Sequence, residues 1–339
     1  MRGVLSVLGF AAVAFATPVV YDGRASFSLK DADLDTSTGP FLTVVKGTES
    51  ATRYSDLLGH SLPPTPLWSK YPIPFLPIFG QPTEQPVSIT ITNTSVFYPG
   101  GNNPQFGFRR TELLAQGATG GPGALRPVIG SGVKAFHFSI GLDETRPLNY
   151  KHEYQVVFVE PDDGSHIFGV QLGACLRLLA FVEVRCADEH RKHSGSPFTN
   201  PTGPLPAPNA RSFKILDHAL NVLFTAPFTA RAWHNFAVVV DWDKKTLKVF
   251  YSKDAAPLKA VTKTVPNLSV PAGTAVLGDF HVGVLKLPLV NPADSPENQG
   301  DVVRHGIQEG TTEGLLYSGV FVESVSGGIS LGLGKKAFA

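Results

Sequence analysis

Phe236-Ala237-Val238-Val239-Val240-Asp241-Trp242, then Asp243-Lys244-Lys245, then Thr246 to Tyr251, is the stretch whose reading decides the fold. Two runs rich in β-branched and aromatic residues flank a short charged break, the pattern of a hairpin. The signature recurs along the chain. Val87-Ser88-Ile89-Thr90-Ile91-Thr92 alternates, and Ala135-Phe136-His137-Phe138-Ser139-Ile140 puts Phe136, Phe138 and Ile140 on one face. Tyr154 to Val159, Leu176 to Val184, His281 to Leu287 and Leu315 to Val322 read as further strands, while helix signals are scarce. Many short strands with turn-rich links predict an all-β chain: a β-sandwich of jelly-roll type with long loops around a substrate cleft.

Two segments break the pattern. Leu62 to Pro86 carries repeated prolines with Trp68, Tyr71, Phe75 and Phe79 between them, so it cannot pair inside a sheet. It reads either as a packed surface loop or as an aromatic rim beside a sugar cleft. His190 to Ala210 mixes Ser, Pro, Gly and Asn and reads as a loop at one end of the sandwich. Strands on either side share one composition, so residues 17–339 are expected to form one domain.

The first residues read as a secretory signal peptide, 1–16. Met1-Arg2 is basic, Val4 to Val13 is mostly apolar and Ala14-Phe15-Ala16 is a small-x-small cleavage signal. The apolar run is too short to span a bilayer, so an extracellular protein is expected. Cys175 and Cys186, the only cysteines, are eleven positions apart. They suit a local disulfide in an oxidising compartment, with two buried thiols as the alternative. Asn93-Thr94-Ser95 and Asn267-Leu268-Ser269 are glycosylation sequons, and Asn200-Pro201-Thr202 is excluded by its proline.

Formal net charge is +1, with 17% charged residues and no basic run. That argues against nucleic acid or an anionic membrane as partner and favours a neutral one. No HExxH or other metal-ligand spacing, Gly-x-Ser-x-Gly elbow or phosphate loop is present, so no metal or cofactor is expected.

Chemistry concentrates in Arg109-Arg110-Thr111-Glu112-Leu113 and His152-Glu153-Tyr154-Gln155. Alternation points Arg110 and Glu112 to one face of a strand, and Glu153 and Gln155 to one face of another. If the faces meet, a guanidinium, an amide and two carboxylates line one groove, the equipment for cutting a sugar polymer. A strand-edge salt bridge is the simpler account of Arg110 and Glu112. Glu153 heads an apolar strand and needs a partner, structural or catalytic. Glu160, Asp162 and Asp163 read as ordinary turn formers in a Pro-Asp-Asp-Gly turn. His281, Gly283 and Leu285 share a face, where the glycine leaves room for a ligand or for close packing. His234 opens another strand; each histidine is a satisfied core residue or a site residue.

Tyr21-Asp22-Gly23-Arg24, Arg109-Arg110-Thr111-Glu112-Leu113, His152-Glu153-Tyr154-Gln155, Trp233-His234-Asn235 and His281-Val282-Gly283-Val284-Leu285-Lys286-Leu287-Pro288 follow in that order. Together they resemble glycoside hydrolase family 131, secreted fungal β-glucanases with a β-jelly-roll fold. The family's second motif usually reads Arg-Glu-His-Gln; here His152-Glu153-Tyr154-Gln155 keeps the glutamate. The resemblance implies a β-1,3-, β-1,6- or β-1,4-glucan as substrate and Glu112 and Glu153 as the catalytic pair. Arg110, Gln155, His281, His234 and Trp68 are the expected substrate-binding residues, and the enzyme is expected to act as a monomer. Arg110 would keep Glu112 ionised, leaving Glu153 as the acid. The competing readings are a jelly-roll polysaccharide lyase, whose strands carry Arg-x-Glu-Leu near Gln, His and Tyr, and a non-catalytic glucan-binding protein.

Overall fold

The computed structural model describes residues 18–42, 49–68, 82–99, 103–117, 119–174, 205–271, 273, 277–310 and 312–337. The leader, Cys175, Cys186, the expected strand at 176–184, Tyr71, Phe75 and Phe79 lie outside the described residues, as does most of the loop from His190.

The strands begin with β1 (Val19–Asp22), β2 (Phe41–Leu42), β3 (Ser55–Leu57), β4 (Val87–Ile91), β5 (Arg109–Ala115) and β6 (Val133–Leu142). Next come β7 (Glu153–Pro161), β8 (Phe168–Gly173), β9 (Ser212–Asp217), β10 (Val222–Pro227), β11 (His234–Asp241) and β12 (Thr246–Lys253). The last are β13 (Lys259–Ala260), β14 (Val265–Pro266), β15 (Gly278–Lys286), β16 (Glu313–Ser324), β17 (Ile329–Gly332) and β18 (Lys335–Ala337).

One sheet runs β13-β12-β11-β6-β16-β4-β3, with β1 beside β16 and β14 beside β12. The second runs β10-β9-β8-β7-β15-β5-β2. Their ladders are antiparallel. Sequence-distant strands become neighbours, β15 between β5 and β7 and β16 between β4 and β6, as the jelly-roll β-sandwich requires. The β11–β12 ladder is the hairpin read from Phe236 to Tyr251.

Between the sheets, Phe136, Phe138, Phe236 and Val322 meet Leu113, Tyr154, Phe168, Phe213, Phe280 and Val282 in one buried cluster. Phe136 lies edge-on to Phe168 and Phe280, at 5.4 and 5.2 Å between centroids. Each such side chain contributes roughly 1.5–3 kcal/mol through removal from water.

Within β7, strict alternation fails at Val156. Gln155 pairs with Gln171 and Val157 with Val170, so Val156 is an extra residue against β8. Against β15, Val157 pairs with Val282 and Gln155 with Leu285, so Gly283 and Val284 face Val156 alone. Val156 and Val157 both enter the core. The bulge therefore leaves Glu153, Gln155, Phe158 and Glu160 all on the outer side. Tyr317 of the opposite sheet supports it from within, donating its hydroxyl to the carbonyls of Gly283 and Val156.

A helix at Gly121–Ile129, which the glycine- and proline-rich sequence does not announce, buries Leu125 and Ile129. Arg126 ties it to β15 through Asp279, at 2.8 and 2.7 Å. No helix among the described residues is long and apolar enough to cross a membrane.

Candidate active site on the outer face of the seven-stranded sheet

The residues of β5, β7, β8, β9 and β15 that alternate with the core residues form a polar outer face. It carries Arg110 and Glu112 from β5, His281 from β15, and Glu153, Gln155 and Glu160 from β7. Gln171 from β8 and Lys214 from β9 complete it. The row Leu285, Gln155, Gln171, Lys214 crosses four adjacent strands in register.

Glu112 is fully buried. Its Oε2 accepts from Arg110 Nε at 2.9 Å and lies 3.0 Å from His281 Nδ1. Burial by itself raises the carboxyl's proton affinity, but the Arg110 charge and the His281 hydrogen bond outweigh it and hold the pKa at about 2. The group is an anion at any ordinary pH. Among the described residues its Oε1 has no hydrogen-bond partner. Gly283 stands directly opposite Glu112, and the missing side chain is what lets the carboxylate pack there. Close packing, rather than ligand space, explains that glycine.

Arg110 also reaches Glu160 Oε2 at 3.3 Å and lies over the Phe97 ring. His281 stacks on Phe158 at 4.6 Å, and His166 stacks on the same ring at 4.1 Å. Burial, then the nearby His281 charge, pushes His166 down to about 3, so it is neutral.

Glu153 is buried at the head of β7 and accepts from Gln171 Nε2 at 2.9 Å. An amide suits either protonation state of a carboxyl, donating to the anion or accepting from the acid. Lys214 donates to the Gly173 carbonyl at 2.8 Å, and Gly173 is the residue opposite Glu153. Burial lowers Lys214 to about 8, with the Glu153 charge acting against that shift. His152 anchors the start of the strand as a neutral ring: Nδ1 donates to the Leu287 carbonyl at 2.7 Å and Nε2 accepts from the Glu309 amide at 3.1 Å. Burial, then the Lys286 charge, pushes it down to about 4.

Arg110, Glu112, Glu153, Gln155 and His281 thus share one face, and two expected companions do not. His234 points into the sandwich, bonded to Tyr251 at 2.8 Å and to Thr229, with Phe213 against its ring. Trp68 lies on the far side of the molecule, edge-on to His137 and Phe321 and against Gly319 of the other sheet. Alternation specifies a face of a strand, not which sheet the strand joins. Asn267 is a third correction. Its amide is buried, donating to the Ile167 carbonyl and accepting from the His218 amide, so a glycan there would have to displace that packing. Asn93 is exposed.

Glu160, Gln171 and Lys214 escaped the sequence reading. The bulge hides Glu160. Gln171 and Lys214 were detectable as single polar residues inside the apolar runs Phe168 to Leu172 and Phe213 to Leu216. Among the described residues, no group of three or more His, Cys, Asp or Glu side chains forms a metal site. A pocket of about 610 Å³ on the other sheet is lined by Trp233 and Leu316 together with Asp143, Glu144, Arg146, Arg231 and Asp254, and by none of the outer-face residues above. The buried carboxylates that converge with a guanidinium and an imidazole lie on the outer face of the seven-stranded sheet.

A family model described as the glycoside hydrolase 131 catalytic N-terminal domain matches residues 19–328. The fold is similar to a GH131 β-glucanase catalytic domain from Podospora anserina, with a TM-score of 0.60 and 21% identity over 94% of this chain and all of that one. It is also similar to the catalytic domain of a glycoside hydrolase family 131 protein from Coprinopsis cinerea, with a TM-score of 0.59 and 21% identity over 94% of this chain and 98% of that one. No curated protein matches the sequence.

Proposed function

Because the chain belongs to glycoside hydrolase family 131 and is a glycoside hydrolase, we propose that it cleaves β-linked glucans with Glu112 and Glu153 as its catalytic carboxyls. One observation carries this reading: an anionic Glu112, held at about 2, shares the outer face of one sheet with Glu153. A carboxyl with that pKa cannot deliver a proton, so Glu112 is the base and Glu153 the acid. Glu153 protonates the departing glycosidic oxygen. Glu112 takes a proton from water as that water attacks the anomeric carbon.

The register argues against a retaining pair. One strand, β15, separates β5 from β7, which spaces their backbones by roughly 9–10 Å. Glu112 is level with Gly283, whereas the Glu153 carbonyl accepts from the Leu287 amide four residues further along. Glu153 also leans toward Gln171, away from β5. The offset is roughly 13 Å along β15 and roughly 9–10 Å across it, too wide for the roughly 5 Å of a retaining pair. Both side chains must extend across the face to reach the roughly 6.5–9.5 Å of an inverting one.

Arg110, Gln155 and His281 would hold sugar hydroxyls. A neutral β-1,3-, β-1,6- or β-1,4-glucan suits the net charge of +1. The protein is secreted after loss of residues 1–16, carries a glycan at Asn93 and works as a monomeric catalytic unit. Glu112→Gln and Glu153→Gln should each lower kcat on laminarin, pustulan or cellulose at least a thousandfold while the fold is retained. Full activity in either folded variant would sink the pair, and the anomer first released, read by proton NMR, decides inversion.

The cations Arg110 and Lys214 on this face favour a polysaccharide lyase as the second reading. Ultraviolet-absorbing unsaturated sugar from a uronan, with no reducing ends from glucan, would establish it.

A further inference from the structure

Four side chains from three strands close a ring of charge on the outer face. Arg110 contacts Glu112 Oε2 at 2.9 Å and Glu160 Oε2 at 3.3 Å. His281 places Nδ1 at 3.0 Å from the same Glu112 oxygen and Nε2 at 3.7 Å from the same Glu160 oxygen. Every contact to Glu112 uses Oε2, and Oε1 is buried with no partner among the described residues.

That asymmetry calls for a cause. A guanidinium beside a lone carboxylate favours the two-pronged contact that engages both oxygens. Here Arg110 directs both Nε and a terminal NH2 at the single oxygen Oε2 of Glu112, each at 2.9 Å, and the same NH2 reaches Glu160 at 3.3 Å. His281 is likewise confined, its ring against Phe158 and its two nitrogens facing the two glutamates.

We infer that Glu160 is a positioning residue: it draws Arg110 and His281 onto one oxygen of Glu112 and so keeps the other, buried in this structure, without a donor and able to accept a proton once substrate opens the face. The inference rests on Glu112 being the hydrolytic base. Glu160 itself does not touch the reacting atoms. Without it, Arg110 turns so that one nitrogen engages each oxygen of Glu112 and captures the oxygen that the reaction needs, without removing any group expected to bind sugar.

The test compares Glu160→Ala, Glu160→Gln and Arg110→Lys, alone and combined, with Glu112→Gln as reference. Glu160→Ala should lower kcat about tenfold, the scale for a misplaced catalytic group, with KM within about twofold. Glu160→Gln, which restores an acceptor, should recover part of the loss. A lysine has no two-pronged mode, so adding Glu160→Ala to Arg110→Lys should cost much less than it costs the native enzyme. Wild-type kcat in folded Glu160→Ala, or an equal loss in the Arg110→Lys background, would overturn the inference. If Glu160→Ala does not fold, wild-type kcat in Glu160→Gln overturns it. Full activity in Glu112→Gln instead removes the base assignment and the inference with it, a result distinct from the others.

Discussion

Gly283 and Glu112 are direct partners in the β15–β5 ladder, and a methyl group on Gly283 would lie 2.6 Å from both Cα and Cγ of Glu112. It would also lie 2.3 Å from the Thr111 carbonyl oxygen. Backbone cannot retreat as a flexible side chain can. Gly283→Ala should destabilise the fold by about 1–3 kcal/mol through overpacking and displace the carboxylate. A loss in kcat/KM of about a hundredfold is expected, larger than the stability change explains. Urea denaturation alongside kinetics checks this; an alanine variant with native kcat/KM would show that the ladder does not position Glu112.

Tyr317 joins the two sheets at the bulge, its hydroxyl serving the carbonyls of Val156 and Gly283. Tyr317→Phe keeps the ring packing and strands two buried acceptors, at a cost of about 1–3 kcal/mol. Because the bulge sets the facing of Glu153 relative to Glu160, activity should also fall. An unchanged urea midpoint would mean that the carbonyls find other donors.

Arg110 is the main charge keeping Glu112 ionised against its burial. Removing it in Arg110→Met raises the proton affinity of the base, so the acid limb of the pH–rate profile should move up by a unit or more. Activity then falls further at pH ~4 than at pH ~7. A profile that drops uniformly, with its acid limb in place, would argue against Glu112 as the titrating base.

Acid should destabilise the protein well before its carboxylates titrate. His152 and His234 are held down to about 4 and His166 to about 3, burial being the largest cause for each. An unfolded histidine titrates near ~6.5, so between that pH and the folded values the unfolded chain binds more protons. The contribution is complete above the unfolded value and is lost as pH falls toward 4 and then 3, on the order of 3 kcal/mol each. Glu112, depressed to about 2, acts in the same direction lower down, its contribution present above ~4.5 and lost as pH falls toward 2. Urea midpoints that stay flat from pH 7 to pH 4.5 would contradict this account.

Much of the candidate site was legible from alternation. Arg110 with Glu112, and Glu153 with Gln155, share faces as the two-residue period requires. The glycine facing Glu112 was visible as a gap, though the ladder was needed to say what fills it. Glu160 reads as a turn residue because Pro161-Asp162-Asp163-Gly164 follows it, and in a regular strand, seven positions from Glu153, it would face the opposite way. The extra residue at Val156 reverses that, and no local pattern announces it.

Strand periodicity, the hairpin at Phe236 to Tyr251 and the outward facing of both glutamates come from chirality and covalent geometry, which act within a few residues of each other. Whether Trp68 and His234 join that face depended on how strands distant in sequence pair and on which sheet each enters. The charge ring of Glu112, Arg110, Glu160 and His281 likewise exists only because β15 inserts between β5 and β7. Those pairings are long-range choices made by burial of a common core, and tertiary structure alone decides them.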